Sequence, residues 1–138
     1  DDLVRGLQAE HADITIHIDV VSSIKVDADQ HRIEQVLSNF LSNAIKYSPD
    51  SKEIFVELKR KNKHTAYLAV KDTGIGIPKE KQEFVFDRFF RAEESNNYSG
   101  LGLGLYISKD IILRHSGKIG LISKEGEGST FWFTIPTK

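Results

Sequence analysis

The chain has 138 residues, a formal net charge of −1, 39% hydrophobic and 28% charged residues, which suits a single folded domain, residues 1–138, with a core of its own. Its basic residues are scattered, so no nucleic-acid partner is expected, and no apolar run nears the ~20 residues that span a bilayer, so direct membrane contact by this domain is not expected either. The absence of cysteine excludes disulfides, zinc–thiolate sites and thiol nucleophiles, and fits a reducing compartment, by default the cytoplasm.

Asp1 to Glu10 lack the basic start and apolar stretch of a signal peptide, and the abrupt acidic opening reads as that of a fragment. Ile14, Ile16 and Ile18 alternate with polar residues, the period of a half-buried strand, and Ile24 to Val26 is a second short candidate. Asp27 with Gln30 three residues on resembles a capping box. Ile33, Val36, Leu37, Phe40, Leu41, Ala44 and Ile45 then recur at helical spacing, which predicts a helix over Ala28 to Tyr47, stopped by Ser48-Pro49-Asp50.

Glu53 to Lys59 and Thr65 to Lys71 read as an antiparallel hairpin around Arg60-Lys61-Asn62-Lys63. After Asp72 the pattern gives way to Thr73-Gly74-Ile75-Gly76-Ile77-Pro78, a short helical turn from Lys79, and a polar aperiodic stretch from Arg91 to Ser99. Helical periodicity returns over Leu103 to His115 with Gly117 as its stop. A final strand pair follows, Lys118 to Ser123 and Thr130 to Ile135, across Glu125-Gly126-Glu127-Gly128.

Seven of the ten glycines fall in three clusters, at 74 and 76, at 100, 102 and 104, and at 126 and 128. Glycine is needed where the backbone takes positive φ or where a ligand comes close to it. Clusters flanking a helix start therefore point to phosphate or nucleotide contact, with ordinary turns as the plainer reading. A dinucleotide-binding loop is excluded because the third glycine of the 100–104 run comes one residue early and no strand precedes it. A Walker A lysine and the serine/threonine/tyrosine kinase motifs are absent. Asn39, Asn43, Lys46 and Tyr47 sit at i, i+4, i+7 and i+8 of the long helix, on one face. Asparagine amides within a helix need partners, and a hard cation accepting amide oxygen is one, although a solvated polar stripe is another reading.

Together these stretches resemble the catalytic and ATP-binding domain of bacterial sensor histidine kinases, in the wider group that includes gyrase, Hsp90 and MutL. Gln35 to Pro49 is similar to the N box of that family, Asp72 to Pro78 to its G1 box, Val85 to Arg91 to its F box, Gly100 to Leu105 to its G2 box, and Gly128 to Phe131 to its last turn. Five motifs in family order cover nearly the whole chain. The resemblance implies an α/β (α+β) two-layer sandwich of the Bergerat type, with a mixed, mostly antiparallel sheet covered on one face by helices.

The same resemblance implies that Asp72 accepts the adenine amino hydrogen, with Gly74, Gly76, Ile77 and Thr130 around the base. It implies that Asn43 ligates a phosphate-bridging Mg²⁺ with Asn39 assisting, that Lys46 and Tyr47 touch nucleotide or phosphate, and that Arg91 reaches the γ-phosphate. Gly100, Leu101, Gly102, Leu103, Gly104 and Leu105 would cradle phosphate at a helix start, and Ala92 to Ser99 would form a lid. Asn39, Asn43, Lys46 and Arg91 are the implied catalytic residues, with ATP and Mg²⁺ as the bound species. Gyrase-like and Hsp90-like ATPases place a glutamate base where Asn39 stands, and an amide cannot take a proton from water. Transfer to another acceptor is thereby favoured over hydrolysis.

The implied acceptor is a histidine on a separate dimerisation domain of the same polypeptide, and the implied downstream partner is a response-regulator aspartate. His11, His17, His31, His64 and His115 all lack the sequence setting of such an acceptor and read as surface or capping residues. Two rival readings stand beside this one: a catalytically silent nucleotide-binding regulator, and an interaction domain docking through Phe84, Phe86, Phe89 and Phe90.

Overall fold

The structure, a computed structural model, describes residues 15–20, 29–46, 53–74, 76–82, 84–86, 104–124 and 126–137, with 20, 30, 46, 81 and 104 described by backbone alone. The elements run β1 (Thr15–Val20), α1 (Gln30–Lys46), β2 (Glu53–Asn62), β3 (Thr65–Asp72), α2 (Lys79–Gln82), α3 (Gly104–Arg114), β4 (Lys118–Lys124) and β5 (Gly128–Pro136). They form one five-stranded sheet of order β1-β2-β3-β5-β4. Only β1 and β2 are parallel, because α1 lies between them in the chain and returns it to the same end; every other pair is antiparallel. The mixed, mostly antiparallel sheet read from the sequence is what the chain builds.

One face of the sheet carries the core. α1 contributes Val36, Leu37, Phe40, Leu41 and Ala44, α3 contributes Ile111 and Ile112, and alternate strand residues such as Val56, Val70, Phe131 and Phe133 meet them. Phe40 lies between two strand aromatics, its ring 5.5 Å from Phe131 and 6.0 Å from Phe133, a tilted arrangement that adds ~0.5–1.5 kcal/mol per pair to the burial itself. The other strand residues point to the uncovered face, where Tyr67 stacks on Trp132 at 6.2 Å and Lys59 lies 5.3 Å from the Tyr67 ring.

Three boundaries differ from the sequence reading, each for a local reason. The cap of α1 is Asp29 rather than Asp27: its Oδ1 accepts from the amides of His31 at 3.1 Å and Arg32 at 3.3 Å. The hairpin strands run further into the loop, to Asn62, because a register shift between Arg60 and Asn62 and a bond from the His64 amide to Asn62 Oδ1 at 2.9 Å tighten the turn. The left-handed residue that stops α3 is Ser116, φ 61°, one before Gly117. The Gly117 amide closes back on the Ile112 carbonyl at 2.9 Å and that of Ser116 on Leu113 at 3.1 Å, the paired bonds of a Schellman cap. Ile24 to Val26 and Asp27 lie outside the described residues.

Candidate functional site

Among the described residues four polar side chains are buried, Asp72, Ser108, Ser129 and Thr134, of which Asp72 and Ser129 are neighbours at one end of the β3–β5 pair. Asp72 ends β3 and is 1% exposed. Its Oδ1 accepts from the Gly74 amide at 2.9 Å, which turns the chain sharply after the strand and leaves the carboxylate at the lip of the sheet. Its register partner across the sheet is Ser129 of β5. A carboxylate is an acceptor with two oxygens and about four lone-pair positions.

Gly128 shows that the packing here is close. It sits at φ 110°, and a Cβ there would overlap the Asp72 carbonyl oxygen and come within 2.8 Å of the Thr73 Cα. Beyond Gly74, the backbone takes positive φ again at Gly76 (71°) and then buries Ile77 in the hydrophobic cluster. Of Gly74, Gly76 and Ile77, Gly74 bonds the Asp72 carboxylate directly, and Ile77 follows the positive-φ Gly76 into the core.

Thr130 does not join them. Strand alternation puts it on the uncovered face, in register with Lys71 and Ile122, whereas Ser129 shares the face of Asp72 and Phe131. The expectation is corrected by one residue: the hydroxyl beside Asp72 belongs to Ser129. The alternation of Phe131 and Phe133 as core residues was the signal in the sequence that could have located it.

On α1, Asn39 and Asn43 lie one turn apart and both are half-buried, flanking the apolar stripe. The Asn39 amide donates to the hydroxyl of Ser108 on α3 at 3.0 Å, and Ser108 is wholly buried. This bond joins the two helices midway along their antiparallel contact. Lys46 is the last residue of α1 and Gly104 the first of α3; Leu105 packs against the core. Tyr47, Arg91, the lid 92–99, and Gly100, Leu101, Gly102 and Leu103 lie outside the described residues, as do Phe89 and Phe90. Phe86 packs against the core while Phe84 is exposed, so these two aromatics form no shared docking face.

Two histidines are committed elsewhere. The His115 Nδ1 lies 2.7 Å from the Ile111 carbonyl and its Nε2 accepts the Asp29 amide at 3.1 Å, so the ring links the end of α3 to the start of α1. His17 stacks on Phe55 at 4.8 Å and lies 3.2 Å from Glu53 Oε1. A cleft of about 480 Å³ opens beside His115, lined by Asp29, Arg32, Asp110, Ile111 and Arg114. None of the residues expected at the nucleotide lines it, and it belongs to the opposite ends of the two helices.

The profile of the Histidine kinase-, DNA gyrase B-, and HSP90-like ATPase family matches residues 28–138. The chain belongs to this family. Within it the kinship is to histidine kinases: the chain is 44% identical to the sensor histidine kinase WalK of Bacillus subtilis over 116 residues, covering 82% of this chain and 19% of that protein. It is 41% identical to the sensor-like histidine kinase SenX3 of Mycobacterium bovis over 130 residues, 93% of this chain and 32% of that one.

The fold agrees. The mycobacterial sensor histidine kinase MprB superposes with a TM-score of 0.89 at 28% identity, over 100% of this chain and 93% of that one. The catalytic domain of histidine kinase ThkA superposes with 0.79 at 29% identity, over 98% and 90%. The chain spans no more than about a third of the length of the curated relatives it matches. It is an ATP-binding domain of the histidine kinase type. Among the described residues no helix is long and apolar enough to cross a membrane.

Proposed function

We propose that this domain binds Mg-ATP at the Asp72 end of the sheet and hands the γ-phosphoryl group to a histidine on a separate dimerisation domain of the same polypeptide, from which a response-regulator aspartate receives it. The domain works in the cytoplasm, whether or not the parent protein is anchored to a membrane. The observation that carries the reading is Asp72, a carboxylate 1% exposed at the end of β3, bonded to the Gly74 amide and with Gly128 packed closely on its backbone. A carboxylate only accepts hydrogen bonds, and the amino edge of adenine is a donor of the complementary kind. Asp72 accepts it, Ser129 lies beside it, and Gly74, Gly76 and Ile77 wall the base.

The fit to a magnesium ion follows from donor chemistry. Among the described residues no three carboxylate, imidazole or thiolate groups are placed to hold a metal by themselves. A hard ion that reaches this site is therefore held largely by the phosphates it arrives with, and Asn43 adds an amide oxygen. When bound, that ion neutralises phosphate charge and aligns the transferring group. Lys46, Tyr47 and Arg91 supply further contacts to phosphate, and the backbone amides of 100–105 meet it at the positive end of α3.

Asn39 separates transfer from hydrolysis. It stands one turn before Asn43, where a hydrolytic relative carries a glutamate base, and its amide donates to Ser108. It has no basicity with which to activate water, so the acceptor has to bring its own nucleophile. The imidazole of His115, whose two nitrogens bridge α3 and α1, does not provide it.

Isothermal titration of the chain with a non-hydrolysable ATP analogue tests the site. Binding should depend on Mg²⁺ and fall at least tenfold in Asp72→Asn, whose amide presents hydrogens to the adenine amino group. Binding indifferent to that substitution refutes the site. With γ-labelled ATP the chain alone should remain unlabelled and should label an added phosphoacceptor domain; stable self-labelling refutes the division of labour.

A further inference from the structure

Behind the base-facing pair Asp72 and Ser129 lies a chain of hydrogen bonds that fixes which way the Ser129 hydroxyl points. Its centre is Ser123 of β4. Ser123 Oγ accepts the Ile77 amide at 2.8 Å, donates to the Gly128 carbonyl at 3.0 Å, and lies 2.8 Å from Ser129 Oγ. A serine hydroxyl has one hydrogen and two lone pairs. The hydrogen goes to Gly128 and one lone pair takes the Ile77 amide, so the remaining lone pair takes the Ser129 hydrogen. The bonds run in one direction: Ser129 to Ser123 to Gly128.

Gln82 of α2 holds this centre in place. Its Nε2 donates to the Ile77 carbonyl at 2.8 Å and to the Ser123 carbonyl at 3.0 Å. Both backbone polar groups of Ile77 are thus taken by side chains, and Ile77 itself is 2% exposed. A hydroxyl freed from this arrangement could rotate and donate elsewhere; within it, Ser129 has already given its hydrogen away.

We infer that Ser123, braced by Gln82 and Ile77, fixes Ser129 as a hydrogen-bond acceptor, so that the base pocket selects 6-aminopurine nucleotides over 6-oxopurine nucleotides. Asp72 as a carboxylate can only accept, and Ser129 so polarised can only accept. A 6-amino group offers two hydrogens to such a pair, directly or through water. A 6-oxo group offers lone pairs to lone pairs, and buried polar groups left without a hydrogen are the strongest source of discrimination a pocket has. Ser123 is on this account a positioning residue, acting through Ser129. The inference rests on the reading that Asp72 faces the base.

The test measures ADP and IDP affinities by calorimetry on the 138-residue chain, since the two differ only on the 1,6 edge of the base, where an amino group becomes an oxo group and N1 gains a hydrogen, and in nothing that touches the phosphates. The original chain should prefer ADP by roughly tenfold or more. Ser123→Ala, which returns the Ser129 hydrogen, should lower that ratio at least threefold, while Ser123→Thr, which keeps the hydroxyl on a strand, should leave it intact. A merely structural role for Ser123 would weaken both ligands equally, and an unchanged ratio in a folded Ser123→Ala chain overturns the inference. Ser129→Ala removes the acceptor itself and is the second arm: its ratio should fall too, and an unchanged ratio there overturns the inference even if Ser123→Ala proves too unstable to titrate. Should ADP binding be absent, or unaffected by Asp72→Asn, the base-site reading itself fails and this inference with it.

Discussion

Removing the Ser108 hydroxyl should cost more stability than the size of the change implies, and the cost should be shared with Asn39. Ser108 is wholly buried and accepts the Asn39 amide at 3.0 Å between α1 and α3. In Ser108→Ala that amide hydrogen of the half-buried Asn39 faces a methyl group instead of an acceptor, a penalty of ~1–3 kcal/mol. With a urea m-value of ~1–3 kcal/mol/M, the unfolding midpoint should fall by roughly 0.5–1 M with the m-value unchanged. The assay that isolates the bond is a double-mutant cycle with Asn39→Ala, followed by urea unfolding and circular dichroism. Because Asn39→Ala removes the donor that Ser108→Ala would strand, the double variant should be less destabilised than the two singles summed, by about 0.5–1.5 kcal/mol. A coupling within about 0.3 kcal/mol of zero would refute the claim that this bond orients Asn39.

Gly128→Ala tests the approach of β5 to Asp72: the added methyl meets the Asp72 carbonyl and sits at φ 110°, so stability should fall by roughly 1–3 kcal/mol from backbone strain alone. ATP affinity should fall with it, and calorimetry showing an unaltered affinity would mean that this wall does not shape the site. On the uncovered face, Tyr67 is pushed above the ordinary tyrosine value of 10.0, first by burial and then by Glu57, with Lys59 opposing. The folded chain therefore holds that proton more tightly than the unfolded chain, and the stability so gained is complete below pH 10.0 and is lost as pH rises through the raised value. Urea midpoints between pH 9 and 11 should fall less steeply in Tyr67→Phe than in the original chain, and parallel slopes would contradict the assignment.

The long amphipathic elements were the most legible, because a period of 3.6 or 2 repeated many times leaves little room for error: α1, the β2–β3 hairpin and the β4–β5 pair all stand where their patterns indicated. What the pattern missed depended on contacts far apart in the chain or on one local bond. Asp29 displaced Asp27 as the cap because its carboxylate reaches two amides. Ser116 took the left-handed position at the end of α3, which composition assigns to glycine. Thr130 was misplaced by one residue because a motif fixes the neighbourhood of a side chain but only the strand register fixes its face. Gln82, Ser123 and Ser108 were invisible to spacing, since each acts across the fold, over 41, 46 and 69 residues of sequence.

These long-range polar bonds explain how an apolar core can border a site for a charged ligand. The Ser129 hydroxyl and the Asp72 carboxylate are buried side by side at the end of the sheet, the Ser108 hydroxyl is buried between α1 and α3, and the two hydroxyls already have protein partners. That arrangement costs little when the site is empty of nucleotide, because no hydroxyl hydrogen is stranded. It also leaves these side chains oriented before any ligand arrives, which the proposed transfer would require of a domain that supplies alignment and charge. Asn39 and His115 both stand on the helix pair, the first midway along it and the second at one end. One is an amide with no base strength and the other an imidazole with both nitrogens occupied, so under the proposed transfer neither of these two side chains is the group that attacks phosphorus.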